Sequence, residues 1–205
     1  SYIGKIYEKV MVYRLGRYLM ELNLLSSIHY AYIQGRSSID CLQYVIDQIE
    51  TNQNHNIDTH AALYDLTSAY DTVRHKVLLW KLEHEYFISG IFLQTLKSFL
   101  HGRRTAVKIG GTISDWIDDK DGVPQGGALS PLLYLIYIDN AATINRVPNV
   151  RVAIYSDDIF ALTGKIKTFQ SRSRTLRFVT IFLAWYCFHH GLRINYIKTK
   201  YKQLY

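Results

Sequence analysis

Two aspartates stand side by side at Asp157-Asp158, between the apolar runs Val150–Tyr155 and Ile159–Thr163. A tight turn between two strands ordinarily uses Asn-Gly or Asp-Gly, and two adjacent acids repel one another there. A bare acidic pair on a turn is most simply a solvated turn. A third acid changes that reading. Asp65 closes another apolar run, Ala61–Leu66, so three carboxylates stand at the ends of what read as neighbouring strands. Magnesium binds through a few carboxylates together with substrate phosphates. A pair of such ions about 3.5–4 Å apart serves both the attacking and the leaving oxygen of a phosphoryl displacement. The spacing therefore points to nucleotidyl transfer with two Mg²⁺ ions, Mn²⁺ being the alternative.

The elements that must position these acids follow from periodicity. Residues 1–25 carry Ile3, Ile6, Val10, Tyr13, Leu15 and Leu19 at mostly helical spacing. Ser37, with Asp40 three residues on, predicts a capped helix whose apolar face holds Ile39, Leu42, Val45, Ile46 and Ile49. Asn52 to His60 reads as a polar loop. Helices are predicted over 75–87, 89–101, 128–142 and 167–190, the last ended by Gly191. Arg103–Ile109 and Thr112–Ile117 read as a hairpin around Gly110-Gly111, and Leu192 begins a final extended segment. This order favours an α+β fold, an antiparallel sheet with helices packed on one face.

Composition bounds the partner. Lys and Arg number 24 against 17 Asp and Glu, which suits a polyanion held by phosphate neutralisation. The 17 tyrosines can pack a core or stack on bases. Cys41 and Cys187 are the only cysteines, so a zinc ribbon or a disulfide scaffold is excluded. The longest uncharged apolar runs, 128–138 and 178–188, fall short of the ~20 residues a membrane span needs. No membrane partner is expected, and the reading places the chain inside the cell, in nucleus or cytoplasm.

Several blocks resemble those of reverse transcriptases, in particular the non-LTR (LINE-type) retrotransposon enzymes. Tyr155-Ser156-Asp157-Asp158 is similar to the family's Tyr-X-Asp-Asp hairpin. Residues 62–73, Gly122 to Leu133, and Gly191 to Asn195 followed by Lys198-Thr199-Lys200 resemble three further blocks. Gly4 to Lys9 and Gln34 to Asp40 resemble finger-region segments, and the blocks occur in family order along nearly the whole chain.

The resemblance implies a polymerase palm (a ferredoxin-like sheet) with partial helical fingers. Residues 1–60 would be partial fingers and 61–205 palm, with 74–120 a candidate insertion. It implies Asp65, Asp157 and Asp158 as catalytic metal ligands. Tyr70, five residues after Asp65, falls where the family carries an aromatic gate against the ribose 2′-hydroxyl. An RNA-synthesising polymerase more often has Asp there and a Gly-Asp-Asp hairpin, so the resemblance favours DNA synthesis. Gln125, Lys198 and Arg36 match positions that touch the nucleotide. Arg103, Arg104 and Lys108 are a basic hairpin that could track template phosphates, or equally a solvated strand edge.

The implied partners are an RNA template, a DNA primer, dNTPs and other domains of the same polyprotein. Ser156 and Gly127-Ala128 depart from the commoner Ala and Ser-Val or Ser-Ile. The chain starts at Ser1 without methionine, and no thumb segment follows Tyr205, so it reads as a fragment. Two alternatives stay open: a non-catalytic nucleic-acid-binding remnant of a retroelement, and a group II intron-type reverse transcriptase.

Overall fold

The computed structural model describes residues 2–164, 166 and 168–204. Ser1, Lys165, Tyr205 and Lys167, the first residue of the predicted long helix, lie outside the described residues. The chain begins with α1 (Tyr2–Glu21), which buries Met11, Leu15 and Leu19, one residue every helical turn. Helix α2 (Ser38–Asn54) starts where the sequence predicts. Ser37 accepts from the Asp40 amide, and the Asp40 carboxylate accepts from the Ser37 amide. Such a cap stabilises a helix by about 1 kcal/mol.

Strand β1 (Thr59–Tyr64) follows, then α3 (His75–His84) and α4 (Gly90–Leu100). Four two-residue strands come next: β2 (Arg104–Thr105), β3 (Lys108–Ile109), β4 (Thr112–Ile113) and β5 (Ile117–Asp118). Helix α5 (Ser130–Ile138) continues into a 3₁₀ segment, Asp139–Arg146. Strands β6 (Val150–Tyr155) and β7 (Asp158–Thr163), helix α6 (Phe169–His190) and strand β8 (Lys200–Leu204) complete the order.

The main sheet has the order β6-β7-β1-β8 and is antiparallel throughout. Its strands alternate between two faces, as the pleat requires. Ala62, Tyr64, Val150, Val152, Ile154, Ile159 and Ala161 enter the large core with α5 and α6. Ala61, Ala153, Phe160 and Leu162 turn the other way, onto Cys41 and Val45 of α2. Helices α5 and α6 thus lie on one face of the sheet, and α2 covers part of the other. Every residue of α5 except Pro131 is buried. Truncating Leu133, which is fully buried, should cost about 2–5 kcal/mol.

Three local expectations are corrected. The stretch Asn52–His60 is not a polar loop. Helix α2 runs to Asn54, and buried Asn52 donates to Thr59 Oγ1 (2.8 Å) and to the Thr163 carbonyl (3.0 Å). The two long strands over 103–117 are interrupted by a bulge. Arg104 and Thr105 pair with Asp118 and Ile117, whereas Lys108 and Ile109 pair with Ile113 and Thr112. The register slips by one, so Asp115 and Trp116 together face Ala106. The extended segment expected from Leu192 forms only one bridge, Ile194 to Leu66, and strand pairing resumes at Lys200.

Candidate active site

Antiparallel pairing of β1 with β7 sets Tyr64 opposite Ile159. One step further along that register Asp65 faces Asp158, which itself pairs with Tyr155 across the β6–β7 turn. Acids distant in sequence therefore meet because two strands end together. The turn between them is only Ser156 and Asp157, and Ser156 has φ +56°. A non-glycine residue in this region costs about 1–3 kcal/mol, and such strain concentrates at functional positions.

The carboxylates differ in their surroundings. Asp65 Oδ1 lies 3.4 Å from Lys198 Nζ, and its Oδ2 is buried without a hydrogen-bond partner. Asp65 and Asp157 line one cavity of about 250 Å³ together with Tyr70, Asp71, Gln125 and Lys198. Asp158 does not line it. Its carboxyl is nonetheless pushed above the usual carboxylate range by burial, then by the charges of Asp157 and Asp65, against the pull of Lys198. Among the described residues no three His, Cys, Asp or Glu side chains close around a metal position. A hard cation that keeps water and substrate phosphate in its shell needs no such cage. The orphaned Asp65 oxygen and the uncompensated negative charge at Asp158 fit a divalent cation.

Backbone geometry brings the remaining residues in. The Val123 amide donates to the Tyr70 carbonyl (2.9 Å), and the Gly122 amide to Val73 (2.7 Å), so the glycine loop lies against the turn that follows β1. Gly122 has φ +88°, and a Cβ there would stand 3.0 Å from the Asp71 carbonyl oxygen. Only glycine meets both demands. Gln125 then donates to Asp71 Oδ1 at 2.9 Å. Lys198 is aimed by Asn195, whose side-chain oxygen accepts the amides of Ile197 and Lys198 while its own amide donates to the Asp65 carbonyl. Glu8 on α1 accepts the Ala128 amide at 2.6 Å, steadying the start of α5 behind the glycine loop.

Tyr70 stacks on buried Tyr134 with ring centroids 4.7 Å apart, and its hydroxyl donates to Tyr32 at 2.6 Å. Asp65, Asp157, Tyr70, Gln125 and Lys198 are thus brought together. Arg36 is not among them. Its guanidinium donates to the carbonyls of Ser27 and, at 2.5 Å, His29, and lies over the Tyr30 ring. It braces the 27–32 loop and lines a different cavity. Arg103, Arg104 and Lys108 sit on the bulged hairpin, with Arg103 over Phe99 and Arg104 over Trp116. None of the three lines the carboxylate cavity. Tyr32, Tyr134 and Asp71 carry no sequence signal of a role. Their part depends on contacts 38, 64 and 54 residues apart, with Tyr70, Tyr70 and Gln125 respectively.

Residues 1–203 match the family described as reverse transcriptase (RNA-dependent DNA polymerase). The chain belongs to the reverse transcriptase family. It is 26% identical over 204 residues to a probable RNA-directed DNA polymerase from transposon BS of Drosophila melanogaster, covering 97% of this chain and 22% of that protein. It is 32% identical over 126 residues to the RNA-directed DNA polymerase from mobile element jockey of Drosophila funebris, covering 59% of this chain and 14% of that one. The chain thus spans about a fifth or less of the length of these curated relatives. Together these matches support a reverse transcriptase domain of a LINE-type element.

Among solved structures it superposes on apo telomerase from Candida tropicalis with a TM-score of 0.70. The identity is 12%, over 98% of this chain and 40% of that one. Telomerase from Candida albicans, solved with a fragment of telomeric RNA, gives 0.69 at 15% identity over 95% of this chain and 35% of its own. These likenesses establish the palm architecture of this reverse transcriptase. No helix among its described residues is long and apolar enough to cross a membrane.

Proposed function

We propose that this reverse transcriptase domain adds dNTPs to a primer 3′-hydroxyl on an RNA template. The observation that carries the reading is the single cavity at the strand ends, where Asp65 and Asp157 meet Tyr70, Gln125 and Lys198. In the reaction the 3′-oxygen forms a bond to the α-phosphorus, the bond from that phosphorus to pyrophosphate breaks, and the hydroxyl proton passes to solvent. Asp65, Asp157 and Asp158 would hold two divalent cations, Mg²⁺ or Mn²⁺, which when bound supply Lewis-acid stabilisation of the phosphoryl oxygens.

The chain's own side chains do the rest. Lys198, free to swing from Asp65 with an exposed side chain, offsets triphosphate charge and can give a proton to departing pyrophosphate. Gln125, held by Asp71, borders the nucleotide. Tyr70 presents a ring where a ribose 2′-hydroxyl would clash. Arg36 acts through the loop it braces. Arg103, Arg104 and Lys108 lie along the template path, as sequence-independent phosphate contacts. The place of action is inside the cell.

Primer extension on an RNA template, with dNTPs and Mg²⁺, tests the assignment. Asp157→Ala with Asp158→Ala should abolish extension while leaving RNA binding in place. Unchanged extension would refute the mechanism, and RNA binding without extension by the unaltered protein would select a non-catalytic role.

A further inference from the structure

The gate residue Tyr70 is held at both ends. Its ring lies nearly parallel to Tyr134, at 21°. Its hydroxyl donates to Tyr32, and the Tyr32 hydroxyl lies 3.0 Å from Ser156 Oγ. Because Tyr32 accepts from Tyr70, its own proton is free for the serine oxygen. Ser156 Oγ also stands 3.5 Å from the Tyr70 hydroxyl, closing a triangle of three hydroxyls.

Both partners of Tyr70 are placed deliberately by the backbone. Tyr32 has φ +62° and Ser156 φ +56°, conformations a non-glycine residue adopts only when its surroundings impose them. The loop bearing Tyr32 is stitched to β6 beside the acidic hairpin. The Tyr30 amide donates to the Ile154 carbonyl and the Ile154 amide to the Ile28 carbonyl, each at 2.9 Å. A finger-segment loop is thereby tied through a side chain to the turn that carries Asp157.

We propose that Tyr32 and Ser156 are positioning residues that set the stiffness of the Tyr70 gate, and with it the preference for deoxyribose over ribose. The inference rests on the polymerase reading above and deepens it. A steric gate excludes a hydroxyl only to the extent that its ring resists displacement. A ring stacked on one face alone can slide or tilt by the fraction of an ångström that a 2′-hydroxyl needs. Tethering the phenol oxygen removes that freedom, and it occupies the one polar atom of the gate that could otherwise welcome the ribose hydroxyl.

The test is the ratio of kcat/KM for a dNTP to that for the matching rNTP, in single-nucleotide extension on an RNA template. A hydrogen bond worth about 0.5–1.5 kcal/mol corresponds to about 2- to 13-fold. Tyr32→Phe and Ser156→Ala should each lower the ratio by about that factor, chiefly by raising rNTP use. Tyr70→Phe should do the same, and Tyr32→Phe added to Tyr70→Phe should change the ratio no further. A general loss of folded enzyme scales both substrates alike and leaves the ratio untouched. Extension with an unaltered ratio in Tyr32→Phe, or with additive effects in the double variant, overturns the inference alone. Absence of extension by the unaltered protein overturns the polymerase reading and the sugar role with it. Thermal unfolding of the unaltered protein, Tyr32→Phe, Tyr70→Phe and their double variant then reports the tether by itself: shifts in Tm that fail to add support the linkage, and additive shifts refute it.

Discussion

Asp139 and Asp158 are both drawn into the protein, yet their carboxyls move in opposite directions. At Asp139 burial pushes the pKa up, but the combined effect of His29, the Ser26 amide and the Tyr86 hydroxyl outweighs it and holds the group below the usual range. Those contacts lie at 2.9 Å each. At Asp158 burial is reinforced by Asp157 and Asp65, and only Lys198 opposes. The first carboxylate is satisfied by three groups from two segments and does structural service, fastening the 26–29 loop and Tyr86 to the 3₁₀ segment. The second is left in electrostatic debt, as a group is when its partner is brought by substrate or cation. Burial alone therefore does not distinguish a site from a core; the sign of the neighbours does.

Exchanging the two acids' roles is the strongest way to break this contrast. Asp158→Asn should lower primer extension by at least about 10³-fold, because several kcal/mol of phosphoryl stabilisation depend on the cation. Its Tm in the absence of divalent ions should stay level or rise, since a like charge is removed; a clear fall in Tm would show that Asp158 is structural. Asp139→Ala should behave inversely. It leaves the Ser26 amide and the Tyr86 hydroxyl without their acceptor and should cost about 1–3 kcal/mol in urea unfolding, measured from the midpoint at constant m. Stability within 1 kcal/mol of the unaltered protein, roughly a single neutral hydrogen bond, would dissolve the comparison.

A smaller effect is expected at Lys81, buried beside Asp139 and donating to the Tyr137 carbonyl at 2.8 Å. Burial pushes its ammonium down to about 8, against Glu85 and Asp139. Between about 8 and the ordinary 10.5 the unfolded chain binds the extra proton, so stability should rise with pH across that window. Lys81→Met should flatten this rise. It should also stabilise the protein by about 1 kcal/mol at neutral pH, because the Tyr137 carbonyl keeps its bond from Tyr186. Denaturant midpoints from pH 7 to 10 decide it.

The smallest effect separates the two acids by acid titration. Asp139, held low, contributes stability present above the ordinary carboxylate value and lost as pH falls through its folded value. Asp158, held high, does the reverse: its contribution is present below the ordinary value and lost as pH rises through the folded one. Asp139→Asn should therefore shallow the acid loss of stability, and Asp158→Asn should steepen it. Equal slopes in both variants would mean that the two environments do not differ.

Much of the site was legible because its signals are local. The Ser37–Asp40 cap, the Gly191 stop and the apolar runs that flank Asp157-Asp158 each act within a few residues, and each appears in the structure. Gly122 was legible as loop punctuation, but its necessity comes from the approach of Asp71. The bulge at Asp115-Trp116 escaped the sequence because a one-residue slip changes no periodicity within either strand. Helix 128–142 shortened for a similar reason: Asp139 turns its carboxylate to the Ser26 amide and to His29, and a 3₁₀ segment follows. Arg36 matched a motif position, yet its guanidinium is taken by carbonyls of its own loop.

By itself, then, the sequence determined the kinds of chemistry available: three strand-end acids, an aromatic after the first, a glycine loop and a late lysine. Local propensity and spacing are written within short stretches of chain. Which of those groups share a cavity was decided only by the tertiary structure. The β1–β7 register sets Asp65 against Asp158, the Gly122 loop carries Gln125 to Asp71, and the 26–32 loop delivers Tyr32 to Tyr70. The physical reason is that a hydrogen bond or a charge pair depends on distance in space, and these partners, together with Lys198 and Asp65, are 38 to 133 residues apart along the chain.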